Sequence, residues 1–326
     1  MRFIVGIDLG GTNIVSGCVA EDGSVIHGVR SIPTGAEGGP DAVVQRIIAV
    51  AKESISETRA AVPGAEIIGL GVGAPGPLDT RSGVVLLTPN LGWVNMPLRQ
   101  RLQDGLGLRT ALDNDANCAV LGEWWMGAAR GTRHAVGLTI GTGIGGGIII
   151  DGRLYHGASD IAGEVGHMTI DANGRHCKCG NYGCVEAYAS GPNIALRATE
   201  AIRTGAASSL ASYVGGDLGR ITAQTVYEAA QAGDELAIDV VRDTARFLGA
   251  AVASLINIFN PEAVVIMGGV THAGDSLFEP LRREVSRRAF KPAVQVCRIV
   301  PGQLTGVAGV YGAARAFHEQ VEAGIV

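Results

Sequence analysis

Phe3-Ile4-Val5-Gly6-Ile7-Asp8-Leu9-Gly10-Gly11-Thr12-Asn13-Ile14 opens on an apolar run, breaks at two glycines and resumes as a second β-rich run from Ile14 to Ala20. An Asp22-Gly23 turn and a third run, Val25 to Val29, complete a β-β-β start of the hairpin kind. This order decides the class of glycine loop. A Walker A loop needs Gly-Lys-Ser/Thr at the head of a helix, and a dinucleotide fingerprint needs a helix after its glycines. Here a strand follows, so neither reading applies.

The same grammar returns at Ala135 to Tyr155. A strand through Leu138-Thr139-Ile140 leads to a glycine loop, Gly141 to Gly147, then a strand Ile148 to Ile150, an Asp151-Gly152 turn and Arg153-Leu154-Tyr155. One glycine-rich hairpin is common and says little. Two, with Thr12 matching Thr142, predict two related lobes that present their loops to each other across a cleft.

Composition agrees with a globular α/β protein of about two domains: 326 residues, 47% hydrophobic, 49 glycines. A formal net charge of −5 leaves no basic footprint, so no nucleic-acid partner is expected. No run of about 18 apolar residues suggests a membrane span. No secretory segment precedes the first strand, and the cytoplasm is the expected location. Val43, Val44, Ile47, Ile48, Val50, Ala51 and Ile55 fall at helical spacing in 41–59, and 67–73 reads as a strand. A helix over 244–259 ends at Asn260-Pro261, a buried strand spans Ala263 to Met267, and 309–322 reads as a terminal helix.

The two loops point to phosphate chemistry. Amides of Gly10, Gly11 and Thr12, and of Gly141, Thr142 and Gly143, can donate to phosphate oxygens because glycine removes the Cβ that blocks close approach. Each threonine adds a hydroxyl. Asp8, just before the first loop, is placed to hold Mg²⁺ directly or through water, although a turn-capping role is the plainer alternative. Asp113-Asn114-Asp115-Ala116-Asn117 follows a strand and precedes a helix through 119–125, so its polar side chains gather at a strand end, where α/β proteins do chemistry.

Between Gly163 and Glu186 lie His167, Cys177, Cys179 and Cys184, a Cys₃His set of the kind that binds tetrahedral Zn²⁺. Gly180 and Gly183 allow the sharp turn that brings Cys179 and Cys184 to one ion. A disulfide or unrelated buried thiols are the competing readings, and His176 is a rival fourth ligand, strained by standing beside Cys177. Four protein ligands leave no open position, so such a zinc holds shape rather than activating water. It would fix Glu164 and Glu186 as paired acceptors, which suit sugar hydroxyls.

Asp8-Leu9-Gly10-Gly11-Thr12-Asn13, Asp113-Asn114-Asp115-Ala116-Asn117, the loop at 141–147, Gly163-Glu164-Val165-Gly166-His167 and the Cys177-to-Glu186 stretch together resemble the bacterial ROK family of sugar kinases, most closely its glucokinases. The resemblance covers essentially the whole chain. It implies a hexokinase/actin-like ATPase fold of the ribonuclease H-like duplicated kind, with ATP and hexose in the cleft of two α/β lobes. These are expected at 1–122, with the helix of 309–326 packing back on it, and at 123–308, which carries the zinc loop. It implies Zn²⁺ at His167, Cys177, Cys179 and Cys184, and Asp115 as catalytic base, with Asp113 the runner-up. Gly73, Asn90, Asn114, Asp115, Glu164, His167 and Glu186 are expected on the sugar. Asp8, Gly10, Gly11, Thr12, Asn13, Gly141, Thr142, Gly143, Gly268 and Gly269 are expected on Mg²⁺-ATP, the last two at the adenosine turn. His167 would use one ring nitrogen for zinc and the other for a sugar hydroxyl. The expected reaction is transfer of the ATP γ-phosphoryl group to the 6-hydroxyl of glucose, by a homodimer. N-acetylmannosamine, N-acetylglucosamine, mannose or fructose as acceptor, polyphosphate as donor, and a sugar-responsive regulator without catalysis are the alternatives. Trp93, in Thr88-Pro89-Asn90-Leu91-Gly92-Trp93, is expected to anchor packing.

Overall fold

The computed structural model describes all 326 residues. The chain folds into two compact units, one of Met1–Thr132, Gly147–Gly163 and Gln303–Val326, the other of Arg133–Gly146 and Glu164–Gly302. The boundary expected at 122/123 falls inside a helix, Asp115–Met126, which the first unit keeps whole because that helix packs along the C-terminal one.

In the first unit β1 (Arg2–Leu9), β2 (Asn13–Ala20) and β3 (Ile26–Pro33) form the hairpin start, followed by α1 (Gly39–Ala61) and β4 (Glu66–Ala74). Then come β5 (Leu78–Asp79), β6 (Val84–Thr88), β7 (Trp93–Met96), α2 (Leu98–Leu106), β8 (Thr110–Asn114) and α3 (Asp115–Met126). The main sheet has the order β3-β2-β1-β4-β8, with the β1–β4 and β4–β8 pairs parallel. β5, β6 and β7 make a small antiparallel sheet of their own.

The second unit holds β9 (Ala135–Ile140) and the start of β10 (Ile144–Ile150), whose end leads back into the first unit and pairs antiparallel with β11 (Arg153–Leu154). It continues with α4 (Glu186–Ala189), α5 (Gly191–Arg203), α6 (Leu210–Tyr213), α7 (Ala223–Gln231) and α8 (Glu235–Phe259). After β12 (Ala263–Met267), α9 (Asp275–Arg288), α10 (Lys291–Val296) and β13 (Arg298–Pro301), the chain returns to the first unit as α11 (Ala308–Glu322). β12 pairs in parallel with both β9 and β13.

β1 shows how sequence places the site. Phe3, Val5, Ile7 and Leu9 share one face and pack in a core with Val43, Val44, Ile47 and Ile48 of α1. Ile4 lies on the other face and packs with Val310, Ala314 and Phe317 of α11. Gly6 and Asp8 follow at period two on that face. A Cβ at Gly6 would stand 2.1 Å from the Val310 carbonyl oxygen, so only glycine lets α11 lie this close. The start of α11 thereby reaches Asp8. Each large apolar side chain fully buried in these layers contributes about 1.5–3 kcal/mol.

Four elements differ from expectation. The glycine loop of 141–147 is a turn of three residues, because Ile144 already begins β10. The helix of 244–259 starts nine residues earlier, where Asp234 caps it by accepting the Ala237 amide at 2.8 Å. The third β run begins at Ile26, one residue beyond Val25. The Pro- and Gly-rich stretches around 75–93 read as loops but contribute the β5-β6-β7 sheet, with Trp93 1% exposed in the core.

Candidate active site

Parallel register sets the first group of site residues. Asp8 of β1 is level with Gly73 of β4, and Gly73 is level with Asp113 of β8, so three strands end together. The β1–β2 turn closes with the Gly10 amide donating to the Asn13 carbonyl at 2.9 Å, leaving Gly11 and Thr12 exposed. Asn13 itself begins β2. The side-chain nitrogen of Asn90 comes to 4.0 Å from the Cβ position of Gly11, and the Asp115 Cα to 3.3 Å from that of Gly73. Asp8, Gly10, Gly11, Thr12, Asn13, Gly73, Asn90, Asn114 and Asp115 are therefore neighbours at one sheet edge of the first unit.

The two candidate bases differ in surroundings. Asp113 is 2% exposed, and its Oδ1 accepts from the Asn114 amide at 2.8 Å and Asn117 Nδ2 at 3.1 Å. Its Oδ2 lies 2.7 Å from His156 Nε2. Both oxygens are committed. Asp115 is the first residue of α3 and half-buried, with Oδ1 accepting its neighbour's amide, Ala116 N, at 2.8 Å. Asn114 caps that helix, its Oδ1 accepting from Ala116 N at 2.9 Å and Asn117 N at 3.1 Å.

Burial, and then the charge of Asp115, push the Asp8 carboxyl up to about 7. Two acids facing one edge are a setting that a divalent cation relieves, so the residues fit Mg²⁺. The first turn of α11 completes the cradle: a Cβ on Gly309 would stand 2.4 Å from Asp8 Oδ2.

The second group lies in the second unit. The turn after β9 closes with the Gly141 amide donating to the Gly143 carbonyl at 2.9 Å, and Gly191, at the head of α5, donates to the Gly141 carbonyl at 2.9 Å. Met267 of β12 is level with Thr139 of β9, so Gly268 and Gly269 emerge at the same edge. Gly268 has φ 95°, and a Cβ there would meet the Ile140 carbonyl oxygen at 2.2 Å. A cavity of about 1050 Å³ opens beside these turns, lined by Gly141, Thr142 and Gly269 together with Ile221, Gln224 and Tyr227. It is roomy enough for a nucleoside. The α7 wall carries no motif in the sequence, and nothing there announces it.

The Cys₃His set assembles in the same unit. Ligand atoms of His167, Cys177, Cys179 and Cys184 all lie within 4.8 Å of one another. His167 Nδ1 is 3.8 Å from Cys177 Sγ, and Cys179 Sγ is 3.8 Å from Cys184 Sγ, spacings that suit the corners of a zinc tetrahedron and are far from an S–S bond of about 2.05 Å. The residues fit zinc. His176 is exposed and edge-on to Tyr182 at 5.1 Å, outside the cluster. The other ring nitrogen of His167 lies 3.9 Å from Glu164 Oε2, so one edge of the ring serves the cluster and the other faces the carboxylate. Glu186 spans two parts of the site. Its Oε2 accepts the Ile144 amide at 2.8 Å, and its Oε1 lies 3.9 Å from Cys177 Sγ.

With this geometry in hand, comparison with known proteins is specific. The family described as the ROK family matches residues 4–320. A glucokinase of Thermotoga maritima is 39% identical over 319 residues, covering 98% of both chains. The solved structure of a ROK family glucokinase from Streptomyces griseus, in complex with glucose and AMPPNP, superposes with a TM-score of 0.80 at 33% identity, covering 96% of this chain and 98% of that one. A putative xylose repressor of Caldicellulosiruptor is 35% identical over 310 residues, which are 95% of this chain but 76% of the repressor.

Proposed function

We propose that this chain, which belongs to the ROK family, is a glucokinase that transfers the γ-phosphoryl group of ATP to the 6-hydroxyl of glucose. The observation that carries the mechanism is the contrast at the end of β8. Asp113 is sealed by His156, Asn117 and the Asn114 amide, while Asp115 heads α3 half-buried beside Gly73.

Asp115 accepts the proton of the 6-hydroxyl as the oxygen forms its bond to the γ-phosphorus and the bond to the β-phosphate oxygen breaks. Such a base contributes about 10²–10⁴-fold in rate. Asn90 and Asn114 offer amide donors to the sugar, and Glu164, His167 and Glu186 offer acceptors; Gly73 keeps its place beside Asp115 free of side chain. The amides of Gly11 and Thr12 and of Thr142 and Gly143 donate to phosphate oxygens, while those of Gly10 and Gly141, expected to do the same, close their turns on the Asn13 and Gly143 carbonyls and hold the donors in place. Gly268, Gly269 and the cavity beside them take the adenosine. Asp8 would hold Mg²⁺, which when bound would supply neutralisation of charge on the polyphosphate. His167, Cys177, Cys179 and Cys184 would hold a structural Zn²⁺ whose chemistry is to fix the loop.

The family includes sugar-responsive repressors, so a binding module without catalysis is the second reading. Asp115 and both glycine turns favour the enzyme. All six cysteines are free, which suits a reducing cytoplasm. No helix is long and apolar enough to cross a membrane. Assembly as a homodimer belongs to the same reading and is tested by sedimentation equilibrium.

Steady-state kinetics of Asp115→Asn test the mechanism. A fall of kcat by at least about 100-fold, with glucose binding by calorimetry kept within a few fold, supports it. Near-normal turnover contradicts it.

A further inference from the structure

His156 lies just after β11, outside every motif that the sequence singles out, yet its Nε2 is 2.7 Å from Asp113 Oδ2. Asp113 is almost wholly buried and touches the first turn of α3 at two points, the Asn114 amide and Asn117 Nδ2. Asn114 in turn caps the helix that begins with Asp115. A carboxylate buried this deeply needs a charged or hydrogen-bonding partner, or it moves.

We propose that His156 is a positioning residue for phosphoryl transfer: by binding Asp113 it fixes the Asn114–Asn117 turn and with it the orientation of Asp115. This rests on the assignment of Asp115 as the base. Asp115 hangs on the first residue of a helix, where the backbone has fewest internal bonds and the cap decides its direction. Asn114 supplies the cap, Asp113 holds Asn114 and Asn117, and His156 holds Asp113.

The electrostatics agree. Burial by itself would lower the proton affinity of His156, but the hydrogen bond and charge of Asp113, then Asp160 and Glu319, lift it to about 9. The imidazole is thus a cation at neutral pH. Its surroundings are acidic: Asp160 on its own segment, Glu319 on α11 with Arg315 one turn before it, and Asp8, Asp113 and Asp115 all acting on the neighbouring Cys118. One cation in that setting offsets the buried charge of Asp113 and holds its Oδ2 in place.

Two measurements on the full chain test this. Amide hydrogen exchange of His156→Ala should speed up about tenfold at Ala116 and Asn117, with amides of β4 unchanged. Its kcat, with whichever hexose the wild type turns over, should fall about 10- to 100-fold while KM for that hexose stays within threefold. His156→Gln, which keeps an N–H donor at similar reach and guards against misfolding of the alanine variant, should restore most of the exchange protection and bring kcat to within about fivefold. Unchanged exchange at Ala116 and Asn117, or a loss confined to KM, overturns the proposal. The exchange result stands whatever the acceptor proves to be, while failure of the wild type to phosphorylate glucose counts against the functional assignment alone.

Discussion

Glu186 Oε2 accepts the Ile144 amide at 2.8 Å while its other carboxylate oxygen lies 3.9 Å from Cys177 Sγ. One side chain therefore ties the cysteine loop to the turn after β9. The loop that would carry zinc and the turn that would carry phosphate become a single mechanical piece, with Glu186, the proposed acceptor for a sugar hydroxyl, at their junction.

Gly143→Ala should damage that junction selectively. The new Cβ would stand 2.6 Å from Glu186 Oε2, and Gly143 has no left-handed backbone to strain. Displacing a charged hydrogen-bond partner costs about 1.5–3 kcal/mol, so kcat/KM for glucose should fall about 10- to 100-fold. The melting temperature should move by no more than a few degrees, checked by calorimetry.

Purified protein should contain one zinc per chain by elemental analysis, and Cys184→Ser should lose it. With the metal gone, three thiols and an imidazole no longer hold Glu164 and Glu186, so KM for glucose should rise by at least about tenfold and the melting temperature should fall. Full activity in zinc-free protein would remove the structural role.

Gly309→Ala tests the cradle of Asp8. A Cβ there meets Asp8 Cγ at 2.5 Å and Oδ2 at 2.4 Å, too close for either to stay. The expected outcome is an increased Mg²⁺ requirement and at least about tenfold lower kcat, read from Mg²⁺ titrations at saturating ATP.

The His156–Asp113 pair has a pH signature. The folded-state value of about 9 lies above that of a free histidine, near 6.5. Its stabilisation is complete below pH 6.5 and is lost as pH rises through 9. The stability gap between wild type and His156→Gln should thus be widest near pH 6, on the order of 2–3 kcal/mol, and close towards pH 9.5. Urea unfolding at a series of pH values measures it.

The parts legible in sequence were those fixed by local rules. The apolar run of β1, the Asp22-Gly23 turn, the buried run of Ala263 to Met267 and the ligand spacing of Cys177, Cys179 and Cys184 each carry their signal within a few residues. The β5-β6-β7 sheet was hidden because Pro89 and Gly92 punctuate it, although Leu87 pairs with Val94 across the gap. The His156–Asp113 bond joins residues 43 apart, and the α7 wall of the cavity is an ordinary amphipathic helix. Neither has a motif, since only the fold brings the partners together. Asp113 and Asp115 are indistinguishable by spacing and separate only when burial and bonding are seen.

Glucokinase activity is measured by ADP release with Mg-ATP and glucose, mannose, fructose, N-acetylglucosamine or N-acetylmannosamine, with polyphosphate as a donor control. The expected result is the highest kcat/KM for glucose with ATP, and glucose 6-phosphate as product. A preference for an N-acetyl sugar would contradict the glucose assignment, and no turnover with any sugar would contradict the assignment as a kinase.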